Sequence, residues 1–215
     1  MRFDAVAERL ASLPDVLPPA ATALVPEVLD IDGRRPPDVP GQDAGARSAA
    51  VLVLVHPDAS GEARVVLIER ATYDGHHSGE VSFPGGKAEP GDPDPVATAL
   101  REASEEVALV PAAVDLVVVG TLDAFWIPVS DFRVTPILAI ASRTPTLVAR
   151  PEEVAAILQP PVERFLPDAR VDVVDRTIGA WSLRYGQYDV DGRSVWGATA
   201  RVLSQLGAIL EVPLR

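Results

Sequence analysis

The sequence predicts an α/β (α+β) fold, and three observations predict it. Short β-branched apolar runs recur: AAVLVLVH from Ala49, RVVLIER over 64–70 and RVTPILAIA over 133–141. Their length and composition are those of buried strands. Between them, residues 94–108 carry apolar positions at helical spacing, with Val96, Ala99, Leu100, Ala103 and Val107 on one face. A second helical pattern, ATARVLSQLGAIL, closes the chain over 198–210. Strands and helices alternate rather than segregate, which is the pattern of helices packed on a sheet.

Taken in order, residues 3–12 form a weak helix with Phe3, Val6 and Leu10 on one face. Prolines then recur up to Gly45, with the cluster GRRPPDVPGQDAG, so residues 1–45 read as an N-terminal helix and Pro-rich arm and 46–215 as the main domain. The runs at 49–56 and 64–70 form a hairpin about the turn Gly61-Glu62-Ala63. Residues 71–85 read as a loop holding a brief extended piece, EVSF, before Pro84-Gly85-Gly86. The helix that follows has Asp92 or Asp94 as N-cap and Pro95 in its first turn, where proline is tolerated. Further strands are expected over 114–122 and 133–141 and in WSLRYGQYDV and RSVWG, with a strand or short helix and then a helical turn over 151–166.

Composition limits the function. The chain has 215 residues, 19 basic and 31 acidic side chains, a net charge of −12 and no cysteine. Disulfides, thiolate metal centres and a cysteine nucleophile are excluded. The acidic balance excludes nucleic acid bound by bulk counterion release and docking on an anionic membrane. No run approaches the roughly 20 apolar residues of a bilayer span. The start, MRFDAVAERL, lacks the apolar stretch of a secretory signal, so a cytoplasmic location is expected.

The chemistry concentrates between Gly85 and Leu109. On a helix from Asp94, Glu102, Glu105 and Glu106 stand at i, i+3 and i+4 on one stripe, with Arg101 four residues before Glu105. Like charges so placed repel, by roughly 0.2–0.5 kcal/mol per pair in an isolated helix. Alone, the three glutamates also fit a solvated acidic face. A glycine loop, Gly85-Gly86, and the chain's single lysine, Lys87, directly ahead of the stripe make it more specific. A hard divalent cation such as Mg²⁺ or Mn²⁺, which takes oxygen ligands and shares them with phosphates, would explain the arrangement.

The segment resembles the Nudix box, G-x5-E-x7-R-E-U-x-E-E-x-G-U, where U is a bulky aliphatic residue. Gly86, Arg101, Glu102, Ala103, Glu105, Glu106 and Leu109 take its places. Asp92 stands for the first glutamate, the gap from it to Arg101 is eight residues rather than seven, and Ala108 replaces the last glycine. Alanine resists the left-handed cap that glycine favours there. Upstream, VLIERATYDGHHSGEVSFPGG (66–86) is similar to the signature of the coenzyme A pyrophosphatase branch, L-L-T-x-R-[SA]-x3-R-x3-G-x3-F-P-G-G. Arg70, Ala71, Gly79, Phe83, Pro84, Gly85 and Gly86 match, while Ile68 and Gly75 depart from it. VWGATARVL (195–203) is similar to a stretch of the same branch.

This resemblance implies a Nudix-like α/β/α sandwich with a mixed central sheet and a catalytic loop-helix-loop. It implies a metal-dependent hydrolase of the pyrophosphate bond of coenzyme A and its derivatives, giving 3′,5′-ADP and 4′-phosphopantetheine. The alternatives are another nucleoside diphosphate derivative as substrate, such as ADP-ribose, a nucleotide sugar or a dinucleotide, or a Nudix-fold binding module without catalysis. Glu102, Glu105 and Glu106 are the implied ligands of Mg²⁺ or Mn²⁺ and, with Arg101, the catalytic set. Glu153 is a further acid for metal or base, with Glu152 as its rival. Arg70, His77, Gly85, Gly86 and Lys87 are the expected substrate contacts; His76 is a second loop histidine. Trp126, Trp181 and Trp196 fit core packing better than adenine stacking. The expected partner is a small molecule, with a homodimer left open.

Overall fold

The computed structural model describes residues 1–29, 45–71, 79–128, 130–178 and 181–212. Among these residues three α-helices and thirteen strands follow in chain order: α1 Phe3–Ala11, β1 Glu27–Leu29, β2 Arg47–Pro57, β3 Ala63–Val65, β4 Leu67–Arg70, β5 Val81–Ser82, β6 Gly85–Lys87, α2 Pro95–Val107, β7 Leu116–Thr121, β8 Phe125–Ile127, β9 Phe132–Ala141, β10 Val154–Leu158, β11 Asp172–Ile178, β12 Trp181–Val190, β13 Arg193–Trp196 and α3 Gly197–Glu211.

The centre is a mixed sheet in the order β3-β2-β9-β7, with β6 added to β2 and β8 to β9. Its middle pair, β2 and β9, is parallel, and every other pair in it is antiparallel. Both central strands are apolar on both faces, so the sheet needs a helix on each side. Strand alternation divides the core accordingly. Ala50, Leu52 and Leu54 of β2 and Ile137 and Ala139 of β9 face α2 and pack with Ala99, Ala103 and Val107. Val53 and Val55 of β2 with Val134 and Leu138 of β9 face the other way, into the cluster that holds Leu203, Leu206 and Leu210 of α3. The expected sandwich with a mixed central sheet is therefore present. A three-stranded sheet, β10-β4-β5, and an antiparallel sheet of β1, β12, β11 and β13 flank it.

The N-terminal helix expected over 3–12 is α1, and Phe3, Val6 and Leu10 are its buried residues. They join the same core cluster as α3. The described part of the arm is likewise tied down. Ser204 accepts a hydrogen bond from the Ala21 amide at 3.1 Å, Gln205 donates to the Pro18 carbonyl at 3.0 Å, and β1 pairs with β12.

Several expectations about local structure need correction. Gly85-Gly86-Lys87, read as loop, is strand β6, paired antiparallel with Ala49–Val51. The run 64–70 is two strands broken at Val66, whose amide still donates to Leu54 O at 3.0 Å. β11, a polar edge strand, carried no apolar run and was not anticipated. The expected strand over 114–122 starts only at Leu116, after a 3-10 turn at Pro111–Val114.

His56, on β2 opposite Arg64, is fully buried, and its Nδ1 lies 2.9 Å from the Pro57 carbonyl, to which the neutral ring donates. Burial holds its pKa below the ordinary histidine value. As pH falls through about 6.5, the unfolded chain takes up that proton before the folded one, so the His56 contribution is constant above this pH and shrinks below it. We expect the difference in unfolding free energy between the native chain and His56→Asn to be flat from pH 8 to about 7 and to decline toward pH 5. Urea titrations across that range check it, and a difference that stays constant to pH 5 contradicts a buried neutral imidazole.

Candidate active site

Helix α2 is built to present its glutamates in a fixed register. Asp94 caps it, accepting from the Ala97 amide at 2.8 Å, and Pro95 occupies the first turn. Such a cap stabilises a helix by about 1 kcal/mol. The apolar stripe packs on the central sheet, which leaves the opposite stripe facing the loop from Phe83 to Asp92.

Asp92 and Arg101 form the hub of that loop. One Asp92 oxygen accepts from the Glu89 amide and the Thr98 hydroxyl, both at 2.9 Å. The Arg101 guanidinium lies 3.1 Å from both Asp92 oxygens. It also reaches Glu102 at 3.0 Å, Glu105 at 3.1 Å and the Lys87 carbonyl at 3.1 Å. The guanidinium holds the Asp92 carboxyl down at about 2, and the carboxylates push the Arg101 pKa further up. Arg101 thus acts through the carboxylates as a positioning residue, spacing three acids that would otherwise repel.

Glu106 sits deepest, with 1% of its surface exposed. It accepts a hydrogen bond from the Gly85 amide at 2.8 Å, and Arg70 Nη1 lies 3.6 Å from its other oxygen. Burial raises its pKa to about 7 against the opposing pull of that amide and of Arg70, with the charges of Glu102 and Glu153 adding to the rise. Glu102 is half-buried and is also raised, first by burial. Glu105 is 46% exposed and pairs with Arg101.

The two glycines have different reasons to be glycine. Gly85 has φ +152°, and a Cβ there would strike the backbone of Ala50 and Val51 across the strand pair. Gly86 has no unusual φ, but a Cβ there would lie 2.5 Å from the Glu102 carboxylate. The space over Gly86 is filled by that side chain.

Of the residues expected at the site, Glu102, Glu105, Glu106, Arg101, Arg70, Gly85 and Gly86 come together. Glu153 lies at the edge: its carbonyl accepts from the Ala71 amide at 2.8 Å, its carboxylate pairs with Arg150 at 3.3 Å, and its charge reaches both Glu102 and Glu106. Glu152 is more exposed and only 3.9 Å from Arg150. The Lys87 side chain is exposed, and the residue enters the site through its carbonyl. His76, His77 and Gly75 lie outside the described residues, as does the side chain of Trp181. Trp126 donates to Asp131 at 3.0 Å, and the Trp196 ring packs on Tyr185 with centroids 4.7 Å apart. From sequence, Asp92 read as a possible N-cap and as a substitution for glutamate; Asp94 is the cap, and the clamp that Asp92 forms with Arg101 was not foreseen. Sequence reasoning also missed Ser82, whose hydroxyl is buried with no partner among the described residues.

The donor set suits a hard divalent cation. It offers carboxylate oxygens only, and burial, the main cause that raises the pKa of Glu102 and Glu106, disfavours their charged forms in a way a bound cation would offset. Among the described residues, no three acidic or histidine side chains converge as a ready-made cage. Arg101 bridges Asp92, Glu102 and Glu105 instead, and Arg70 stands beside Glu106.

The helix ends as glycine would end it, although the residue is alanine. Ala108 adopts φ 54° and ψ 34°, and the amides of Ala108 and Leu109 both donate to the Ala103 carbonyl. The left-handed cap forms despite its Cβ.

A family model described as NUDIX domain matches residues 46–181. Nudix hydrolase 22, chloroplastic, of Arabidopsis thaliana is 37% identical over 172 residues, covering 76% of this chain and 55% of that protein. The chain spans little more than half the length of the two plant relatives it matches, at 55% and 58%. Uncharacterized Nudix hydrolase NudL of Salmonella heidelberg (strain SL476) is 33% identical over 177 residues, covering 79% of this chain and 86% of that one. Among solved structures, the MutT/nudix family protein from Enterococcus faecalis superposes with a TM-score of 0.51 over 80% of this chain and 63% of its own, at 15% identity, a likeness of fold.

Three substitutions test this geometry. Ala108→Gly should raise unfolding free energy by about 0.5–1 kcal/mol, since glycine takes the left-handed conformation without penalty but loses more chain entropy; denaturant titration reads it. Gly86→Ala should leave the melting temperature within a few degrees of wild type yet displace Glu102 and abolish most of any turnover, whereas Gly85→Ala should lower stability itself. Equal effects of the two on stability would contradict the assignment of Gly86 to carboxylate space.

Proposed function

The chain belongs to the NUDIX domain family, and from that premise we propose that it is a metal-dependent hydrolase of the pyrophosphate bond of coenzyme A and its derivatives. The products would be 3′,5′-ADP and 4′-phosphopantetheine, or its acyl form. The observation that carries the reading is the pairing of two sequence features in one place. Arg70, from the segment similar to the coenzyme A signature, stands 3.6 Å from Glu106 of the box.

Glu102, Glu105 and Glu106 would hold Mg²⁺ or Mn²⁺, which supplies Lewis acidity and an acidified water. The protein's own part follows from the geometry. Gly85 fixes Glu106 through its amide, and Arg101 fixes Glu102 and Glu105, so the carboxylates enter the reaction already spaced. Arg70 offers a planar guanidinium to a phosphate oxygen, a bidentate match that lysine lacks. β4 and β10, paired with Val154 opposite Arg70, put Glu153 on the same rim. Water attacks one phosphorus and the other phosphate leaves with its organic half.

Glu105 is the carboxylate whose loss the fold feels least, because it is half-exposed and has Arg101 as its partner. Glu105→Gln should therefore lower kcat roughly 100-fold or more while the thermal transition stays near wild type. A panel of coenzyme A, acetyl-coenzyme A, ADP-ribose, a nucleotide sugar and a dinucleoside polyphosphate, with products separated by chromatography and Mg²⁺ or Mn²⁺ present, tests the substrate. Cleavage of ADP-ribose with coenzyme A untouched would replace this reading by the other diphosphatase. A thermal shift with coenzyme A and Mg²⁺ but no product from any substrate would point to a binding module.

A further inference from the structure

Three arginines stand against the acids around α2, and they are held with different firmness. Arg101 is locked by three carboxylates and a carbonyl, at 3.0–3.1 Å. Arg150 lies at the rim, half-exposed, on Glu153. Arg70 reaches the buried Glu106 at 3.6 Å, longer than a hydrogen bond, while its own Nε is buried with no hydrogen-bond partner among the described residues. A buried guanidinium N–H left unpaired is costly and calls for an explanation.

A second orphan stands beside it. Ser82 lies directly opposite Ile68 in the β4–β5 ladder, so its side chain shares a face with Ile68 and Arg70. Its hydroxyl is also buried with no partner among the described residues. This wall therefore holds an arginine donor and a hydroxyl without an acceptor. The Arg70 backbone is fixed, its amide donating to Glu80 O at 3.0 Å and its residue pairing with Val154. The side chain, 27% exposed, is the part with room to turn.

We propose that Arg70 holds the place of the divalent cation at Glu106, and that its guanidinium turns from Glu106 to a phosphate oxygen of the diphosphate when the cation is bound. The proposal rests on the diphosphatase reading and adds an order of events to it. A single positive charge beside Glu106 opposes the arrival of a double one, and a phosphate offers Arg70 the bidentate partner that Glu106 does not. Arg70 then makes cation and diphosphate binding mutually supportive, since each is favoured by the arrangement the other produces. Arg101, with its four partners, does not take part in this exchange.

The test separates the two readings by measuring metal binding without substrate. Free Mn²⁺ is followed by its electron paramagnetic resonance signal during titration of the full chain, for wild type, Arg70→Gln and Arg70→Lys. We expect Arg70→Gln to bind Mn²⁺ roughly tenfold more tightly than wild type, and Arg70→Lys, which keeps the charge, to stay near wild type. In turnover with the diphosphate found to be cleaved, Arg70→Gln should raise KM more than it lowers kcat. Unchanged or weaker Mn²⁺ binding in Arg70→Gln, with a wild-type circular dichroism spectrum, overturns the proposal. Arg70→Met, which keeps an apolar stem along the strand, replaces it if glutamine disturbs the fold. A wild type that binds Mn²⁺ no better than Glu106→Gln overturns both the metal reading and this one. A wild type that binds Mn²⁺ yet cleaves no diphosphate overturns only the hydrolase reading, and the Mn²⁺ comparison still decides whether Arg70 opposes the cation.

Discussion

The hydrogen bond from the Gly85 amide to Glu106 joins the two halves of the site. Glu106 belongs to α2, and Gly85 belongs to β6 on the central sheet. A carboxylate this buried would be strongly disfavoured without a donor. The bond therefore fixes the distance between helix and strand, and the rest follows from that distance. Gly85 must lack a side chain because β6 lies against Ala50 and Val51, and Gly86 must lack one because Glu102 fills the space above it. Gly85 is thus a consequence of strand pairing, and Gly86 of bringing an acidic helix face against that strand.

The acidity of the chain takes on a local meaning from this arrangement. Between Gly86 and Leu109 stand six acids and two bases, Lys87 and Arg101. A surface selected for stability would alternate those charges. Here the stripe is tolerated because Arg101 spans Asp92, Glu102 and Glu105 at once. What remains uncompensated lies deeper, at Glu106, where burial outweighs an amide and an arginine. The net charge of −12 thus does not forbid an anionic ligand, provided that positive charge enters with it.

Much of the fold and of the helix was legible because it depends on period. The central strands announce themselves as unbroken apolar runs, and α2 as an apolar stripe with a proline at its start. The register Arg101–Glu106 fixed which acids share a face. What was not legible depends on partners far along the chain. Gly85–Lys87 has no strand propensity of its own and is a strand because Ala49–Val51 offers an edge to pair with. β11 is polar and exposed, so no periodic signal betrays it. Asp92 looked like a shortened glutamate, yet both its oxygens meet Arg101, a partner that spacing alone does not reveal. The same holds for Ala108, where the surrounding hydrogen bonds to Ala103 impose a conformation that the residue type resists.

The two arginines nearest the acids divide the electrostatic work by how they are anchored. Arg101 lies on the helix it organises, one residue from Glu102 and four from Glu105, so those two contacts move with the helix. Arg70 comes from a different sheet, at the end of β4, and among the described residues meets the helix through Glu106. An interaction across two elements at 3.6 Å, with an unpaired N–H at its root, is the weaker of the two and the one a competing charge would displace. A site made only of locked pairs would hold its carboxylates too firmly to exchange ligands, and one made only of loose pairs could not keep three like charges on one stripe. Placing the locked arginine within the helix and the loose one across from it satisfies both requirements.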